Sequence, residues 1–172
     1  MRREFVVESI KQATLDVFET MLGTSATPGE TYQETRVMTP SDGVVSLIGL
    51  AGPWMGTGSL ACSPSMACVI SGKLLMTEFD SVNDEVLDAV AEVTNMIIGN
   101  VKTMLEAQLG QMALSIPTVV FGRNFTARSA SSEEWVVVPF AVENDRLEVK
   151  LCLAQNLHPL HVAQAKLLVQ VP

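Results

Sequence analysis

One stretch constrains this chain more than any other. From Asn83 to Gln108 there is no proline, and Val86, Val90, Val93, Ile97, Val101 and Met104 recur at intervals of three and four. That period predicts one long helix with a single apolar stripe, and such a stripe must be buried against another element. Setting Glu92 at zero on a wheel of 100° per residue puts the stripe on the opposite side. Glu85, Asp88, Asn95, Gly99 and Glu106 then fall within about 60° of Glu92. Glu92 and Asn95 are three residues apart, so they are neighbours on the face turned to solvent.

Two residues on that face do not help the helix. Gly99 in a helix interior costs about 1 kcal/mol against alanine, and its missing side chain leaves room for another molecule to approach the backbone. Asn95 has an amide that competes for backbone hydrogen bonds. From geometry alone the face reads either as a solvated surface or as a site.

The rest of the chain supplies what the long helix packs on. Residues 3–22 carry Val6, Ile10, Ala13, Val17 and Met21 at helical spacing, with Gly23 placed to end the helix. Residues 24–30 read as a loop, residues 31–38 as a strand, and Pro40-Ser41-Asp42-Gly43 as a turn. Residues 44–51 and 55–62 follow as strands joined around Gly52-Pro53. Ser63 suits an N-cap and Pro64 a first helical position, predicting a short helix to about Thr77. After the long helix and a break near Gly110, residues 118–125, 134–142 and 147–153 read as strands, with residues 143–146 as the last turn. Residues 157–172 contain Pro159 and then an apolar run that reads as a helix or as a closing strand. The order predicts one α/β domain in an α+β arrangement, a mostly antiparallel sheet with helices packed on a face. Residues 1–156 form the domain and residues 157–172 an extension.

Composition narrows the function classes. Of 172 residues 48% are hydrophobic and 17% charged, which excludes disorder. A formal net charge of −8 offers no basic stripe for nucleic acid or an anionic membrane. No apolar run is long enough to span a bilayer, and the N-terminus lacks a signal-peptide pattern. A cytoplasmic protein with a protein partner is expected. Cys62, Cys68 and Cys152 have no metal spacing and read as buried, reduced thiols.

Other features carry less. His158 and His161 have no acidic or thiol companion to make a metal site. Gly52, Gly56 and Gly58 read as part of a strand hairpin, not the lead into a helix, and lack the lysine ending of a phosphate loop. Ser63, Ser65 and Ser71 lack a nucleophile elbow. Trp54 reads as a packed turn aromatic or as a partner contact.

The segment from Asp88 to Asn100, with Asp88, Glu92 and Asn95 in register and Pro117 beyond, resembles the catalytic helix of the CheC/CheX/FliY phosphatase family. Residues 13–22 resemble the family's opening helix and residues 48–56 its hairpin, so the likeness spans about residues 5–153. CheC-type members carry a second Glu-x-x-Asn pair on the first helix. Here Glu8 is followed by Lys11 and Glu19 by Leu22, so a single-site CheX-type protein fits better. The resemblance implies an aspartyl-phosphate phosphatase acting on a CheY-like receiver; the alternative is a non-catalytic dimeric adaptor or receiver-binding module in two-component signalling. It implies that Asn95 orients the attacking water and Glu92 pairs with the receiver's lysine. Asp88 and Gly99 would belong to the docking surface. It further implies Mg2+ supplied by the receiver, no cofactor of this chain's own, and a homodimer.

Overall fold

The long helix lies where the period puts it. In the computed structural model, which describes residues 3–34, 41–128, 134–157 and 168–170, α3 runs Asp84–Leu109. Asn83 caps its start by accepting the Val86 N–H at 2.9 Å, which supplies one of the partners a first helical turn lacks. Gly110 ends it at φ 83°. Val86, Val90, Val93, Ile97 and Val101 are fully buried. Met104 is only half-buried, and Leu105 takes the core position next to it, because the buried arc turns further towards the sheet than the stripe suggests.

Two further helices accompany it, α1 (Arg3–Thr20) and α2 (Pro64–Leu75), and α3 packs against both. The strands are β1 (Thr27–Pro28), β2 (Tyr32–Glu34), β3 (Ser41–Ala51), β4 (Trp54–Cys62), β5 (Ala113–Leu114), β6 (Thr118–Arg128), β7 (Trp135–Val142), β8 (Asp145–Gln155) and β9 (Leu168–Gln170). All their pairings are antiparallel, in the order β1-β7-β8-β4-β3-β6-β9, with β2 also on β7 and β5 on β3. The single-domain α+β reading holds. Alternate residues of the strands, among them Val44, Ile48, Leu60, Val138, Val149 and Leu151, join the helices in one core. Among the described residues no helix is long and apolar enough to cross a membrane.

Several local readings need correction. Ser41 to Gly43 are not a turn but the start of β3. The register shifts there, and Gly43 sits at φ 132° with its α-carbon against the Cys62 carbonyl, where a side chain would clash. The signal read as a turn is therefore a bulge. Asp145 and Arg146 belong to β8, which leaves Glu143-Asn144 as the turn. Within residues 24–30, Thr27 and Pro28 pair with Ala141 and Phe140. Of the strand read over residues 31–38, Tyr32–Glu34 is observed, and residues 35–38 lie outside the described residues, as do Pro40, His158, Pro159 and His161. Leu168–Gln170 pairs with β6, the closing-strand alternative. Trp54 packs against the core. The cysteines are free, but only Cys152 is buried; Cys62 and Cys68 are partly exposed. Cys62 is nonetheless a poor nucleophile, its thiol pushed up to about 12 by its apolar surroundings and then by the charge of Asp145.

Ser63 does more than cap α2. Its hydroxyl accepts the Met66 N–H at 3.0 Å and donates to Asp145 Oδ2 at 2.6 Å, while Ser65 donates to the same oxygen at 2.7 Å. The bond from Ser63, followed by that from Ser65, holds the Asp145 carboxyl below its usual range. A carboxyl depressed in the folded state stabilises the fold above its unfolded pKa, and that contribution disappears as pH falls through the folded value. Stability in urea should therefore fall more steeply below about pH 4 in the wild type than in Asp145→Asn. Parallel pH profiles for the two proteins would contradict this tie between β8 and α2.

Candidate functional site

Along the outward face of α3, Glu85, Asp88, Glu92 and Thr103 are exposed, and Asn95, Gly99 and Glu106 are half-buried. All of the residues singled out from the sequence thus share one surface ridge. Among the described residues Asp88, Glu92 and Asn95 make no side-chain hydrogen bond or ion pair within the chain. An amide and a carboxylate one helical turn apart, both unpartnered, the carboxylate exposed and the amide half-buried, are free to engage another molecule.

Glu106 differs. Its carboxylate takes a 2.8 Å contact from Lys102 Nζ and accepts the Met112 N–H at 2.8 Å. The Lys102 bond, then the Met112 bond, lower its pKa. It fastens the chain after α3 and belongs to the scaffold, although helical spacing alone groups it with Glu92.

The ridge is held at a fixed height above the sheet. Ile98, between Asn95 and Gly99 in sequence but buried, presses onto Gly58 of β4, where an added β-carbon would stand 2.8 Å from three of its atoms. Gly99 behaves in the opposite way. A β-carbon there would meet only Leu114 Cδ1, at an ordinary 3.8 Å, so the fold itself does not require glycine. Leu114 is also a contact that spacing along the chain could not reveal, because β5 reaches Gly99 only through its pairing with Leu50 and Ala51 of β3.

Elsewhere, a cavity of about 840 Å³ lies along α2 and the segment after it, lined by Cys68, Lys73, Phe79 and Glu143 among others, and contains none of the ridge residues. Among the described residues no three histidine, cysteine or acidic side chains gather as a metal site. The ridge presents groups to a surface, not to an enclosed small molecule.

Residues 44–141, which include all of α3, match the family model described as Chemotaxis phosphatase CheX. Among solved structures, a CheC-like superfamily protein from Shewanella sp. PV-4 is 26% identical, the match covering 87% of this chain and 97% of that one with a TM-score of 0.78. Chemotaxis protein CheX from Desulfovibrio desulfuricans is 25% identical over 87% and 99% of the two chains, with a TM-score of 0.78. A CheX from Borrelia burgdorferi, solved in complex with CheY, BeF3 and Mg2+, is 26% identical over 87% and 97%, with a TM-score of 0.71. No curated protein matches the chain.

Proposed function

This chain belongs to the chemotaxis phosphatase CheX family, and from that footing we propose that it hydrolyses the aspartyl phosphate of a CheY-like receiver, with Asn95 ordering the water and Glu92 holding the receiver's lysine. The observation that carries the reading is the unpartnered pair of exposed Glu92 and half-buried Asn95 on α3, inside the segment matched to the family.

An acyl phosphate is already activated, so the reaction needs a positioned water more than a strong nucleophile. The water oxygen attacks phosphorus in line, the bond from phosphorus to the receiver's carboxylate oxygen breaks, and inorganic phosphate leaves as the aspartate is restored. The Asn95 amide carries both donors and an acceptor, so it can hold the water's orientation without taking its proton. Fixing that orientation removes much of the entropic barrier to attack. Glu92, paired with the receiver's lysine, sets the register in which Asn95 reaches the phosphoryl group. The metal in this scheme is the receiver's Mg2+; the complexed relative from Borrelia burgdorferi contains Mg2+ together with CheY. Asp88 and Gly99 lie on the docking surface, the catalytic domain is residues 1–156, and a homodimer presenting one site per chain is part of the same proposal.

Initial rates measured over a range of phosphorylated-receiver concentrations test the role given to Glu92. Glu92→Gln should raise KM by about tenfold, since it removes the charge from one exposed ion pair made at docking and leaves Asn95 in place. A loss confined to kcat would contradict the assignment of Glu92 to docking.

Gly99 offers a test with opposite signs in two assays. Gly99→Ala should raise unfolding free energy by up to about 1 kcal/mol, because the added methyl meets only an ordinary contact and alanine is the better helix former. The same methyl should slow dephosphorylation by filling the approach to the backbone. A more stable variant with an undiminished rate would remove Gly99 from the docking surface.

A further inference from the structure

The ridge has an apolar flank, and its position follows from the strand register. Leu114 lies against Gly99 and pairs with Leu50, whose side chain is in the core under the helices. Ser115 is pinned opposite Gly49, donating its N–H to the Gly49 carbonyl at 2.9 Å and accepting the Gly49 N–H on its hydroxyl at 2.8 Å. Thr118 then pairs with Leu47. Ile116 and Pro117 therefore fall opposite the single residue Ile48, two residues against one, beside the Leu114 that touches Gly99. Val119 and Phe121 continue the same row, paired with Ser46 and Val44.

The row runs antiparallel to α3. The C-terminal cap Gly110 abuts Pro53 at the β3–β4 hairpin, whereas the other end of α3 reaches α2, where Ser71 donates to the Val86 carbonyl. Moving from Leu114 to Ile116 is thus a step of about 7 Å towards the N-terminus of α3. That is the direction in which Asn95 lies from Gly99 along α3. Ile116 is 86% exposed and Phe121 49% exposed. A β-branched aliphatic side chain left in water, on a segment fixed by two hydrogen bonds and a proline, costs little ordering to engage. The polar ridge beside it could steer a partner, but exposed charges alone hold one weakly and fail in salt. Stable docking needs an apolar anchor close to the polar contacts.

We propose that Ile116 and Phe121 form an apolar shelf on which the receiver rests while Glu92 and Asn95 enter its active site. This rests on the receiver reading above, and continuity is what selects the occupant. The shelf adjoins the ridge through Leu114 and Gly99, so a partner seated on one covers the other.

Calorimetric titration with CheY-type receivers loaded with BeF3 and Mg2+, scored on the tightest binder of the wild type, tests the shelf. Ile116→Ser and Phe121→Ser should each weaken binding by about tenfold, the effect of exposing much of one apolar side chain. The loss should persist at high salt, and kcat at saturating receiver should stay unchanged. Unchanged affinity in both variants overturns the shelf and leaves the phosphatase reading intact. So does a weakened affinity accompanied by a lower oligomeric state in sedimentation, because the shelf would then lie between copies of this chain. A wild type that neither binds nor dephosphorylates any receiver overturns both proposals.

Discussion

Gly58→Val should lower the unfolding free energy by about 1–3 kcal/mol, the usual penalty for forcing atoms into a packed core. Intrinsic strand preference argues for the opposite sign, since valine is favoured in strands and glycine is not. Packing decides. Gly58 is buried on a central strand, paired with Ile48 on one side and Leu151 on the other. A β-carbon there meets three atoms of Ile98 at 2.8 Å, and Ile98 has no exposed surface into which to retreat. For a chain of this size each kcal/mol corresponds to a melting shift of about 2–4 °C. Truncating the opposing residue in Gly58→Val/Ile98→Ala should return part of the loss, because valine then fills the space that isoleucine leaves. Ile98 lies between Asn95 and Gly99 in sequence, so lifting it also moves the ridge. Urea denaturation of the two variants and the wild type measures this. An unchanged or higher stability for Gly58→Val would mean that α3 is not seated on β4 through this contact.

Asn95→Ala should abolish most of the acceleration of receiver dephosphorylation, about 100-fold or more, while the receiver still binds. The size follows from what is removed. Losing the group that orients an attacking water forfeits positioning, and misplacement of a reacting group by an ångström is enough for about 100-fold. The protein itself should not suffer, because Asn95 has no hydrogen-bonding partner among the described residues and alanine is the better helix former. Asn95→Asp separates shape from chemistry. It keeps the size of the side chain but brings a negative charge to a phosphoryl group and removes both amide donors. It should be as slow as alanine. Decay at saturating receiver, with binding measured separately, distinguishes these outcomes. An alanine variant as fast as the wild type would end the role assigned to Asn95.

Where local chemistry decides, the sequence is readable. Asn83 and the Ser63-Pro64 pair mark helix starts because capping involves residues within one turn of each other. The exposed face of α3 follows from the period alone. Contacts made across the sheet are different. Gly43 reads as a turn because glycine serves both reversals and bulges, and only pairing with β4 and β6 separates the two. Glu106 looks like a member of the ridge until Met112 is seen to fold back on it. Leu114 is distant from Gly99 in sequence and meets it only through the register of β3. Lys150 has a hydrophobic alternation around it, yet it is buried beside Glu34 and Glu148, both at 3.0 Å. The candidate site was legible as a surface, not as a reaction. A glutamate and an asparagine three apart on a helix are common, and the phosphatase chemistry enters through likeness to the CheX family.

The most direct measurement follows the lifetime of the phosphoryl group on CheY-type receivers, with and without this protein, with Mg2+ present throughout. For at least one receiver the wild type should shorten that lifetime at catalytic amounts, each chain turning over many receivers. Phosphoryl lifetimes unchanged across the panel, with complexes still forming, would contradict it and leave a protein that binds receivers without hydrolysing them.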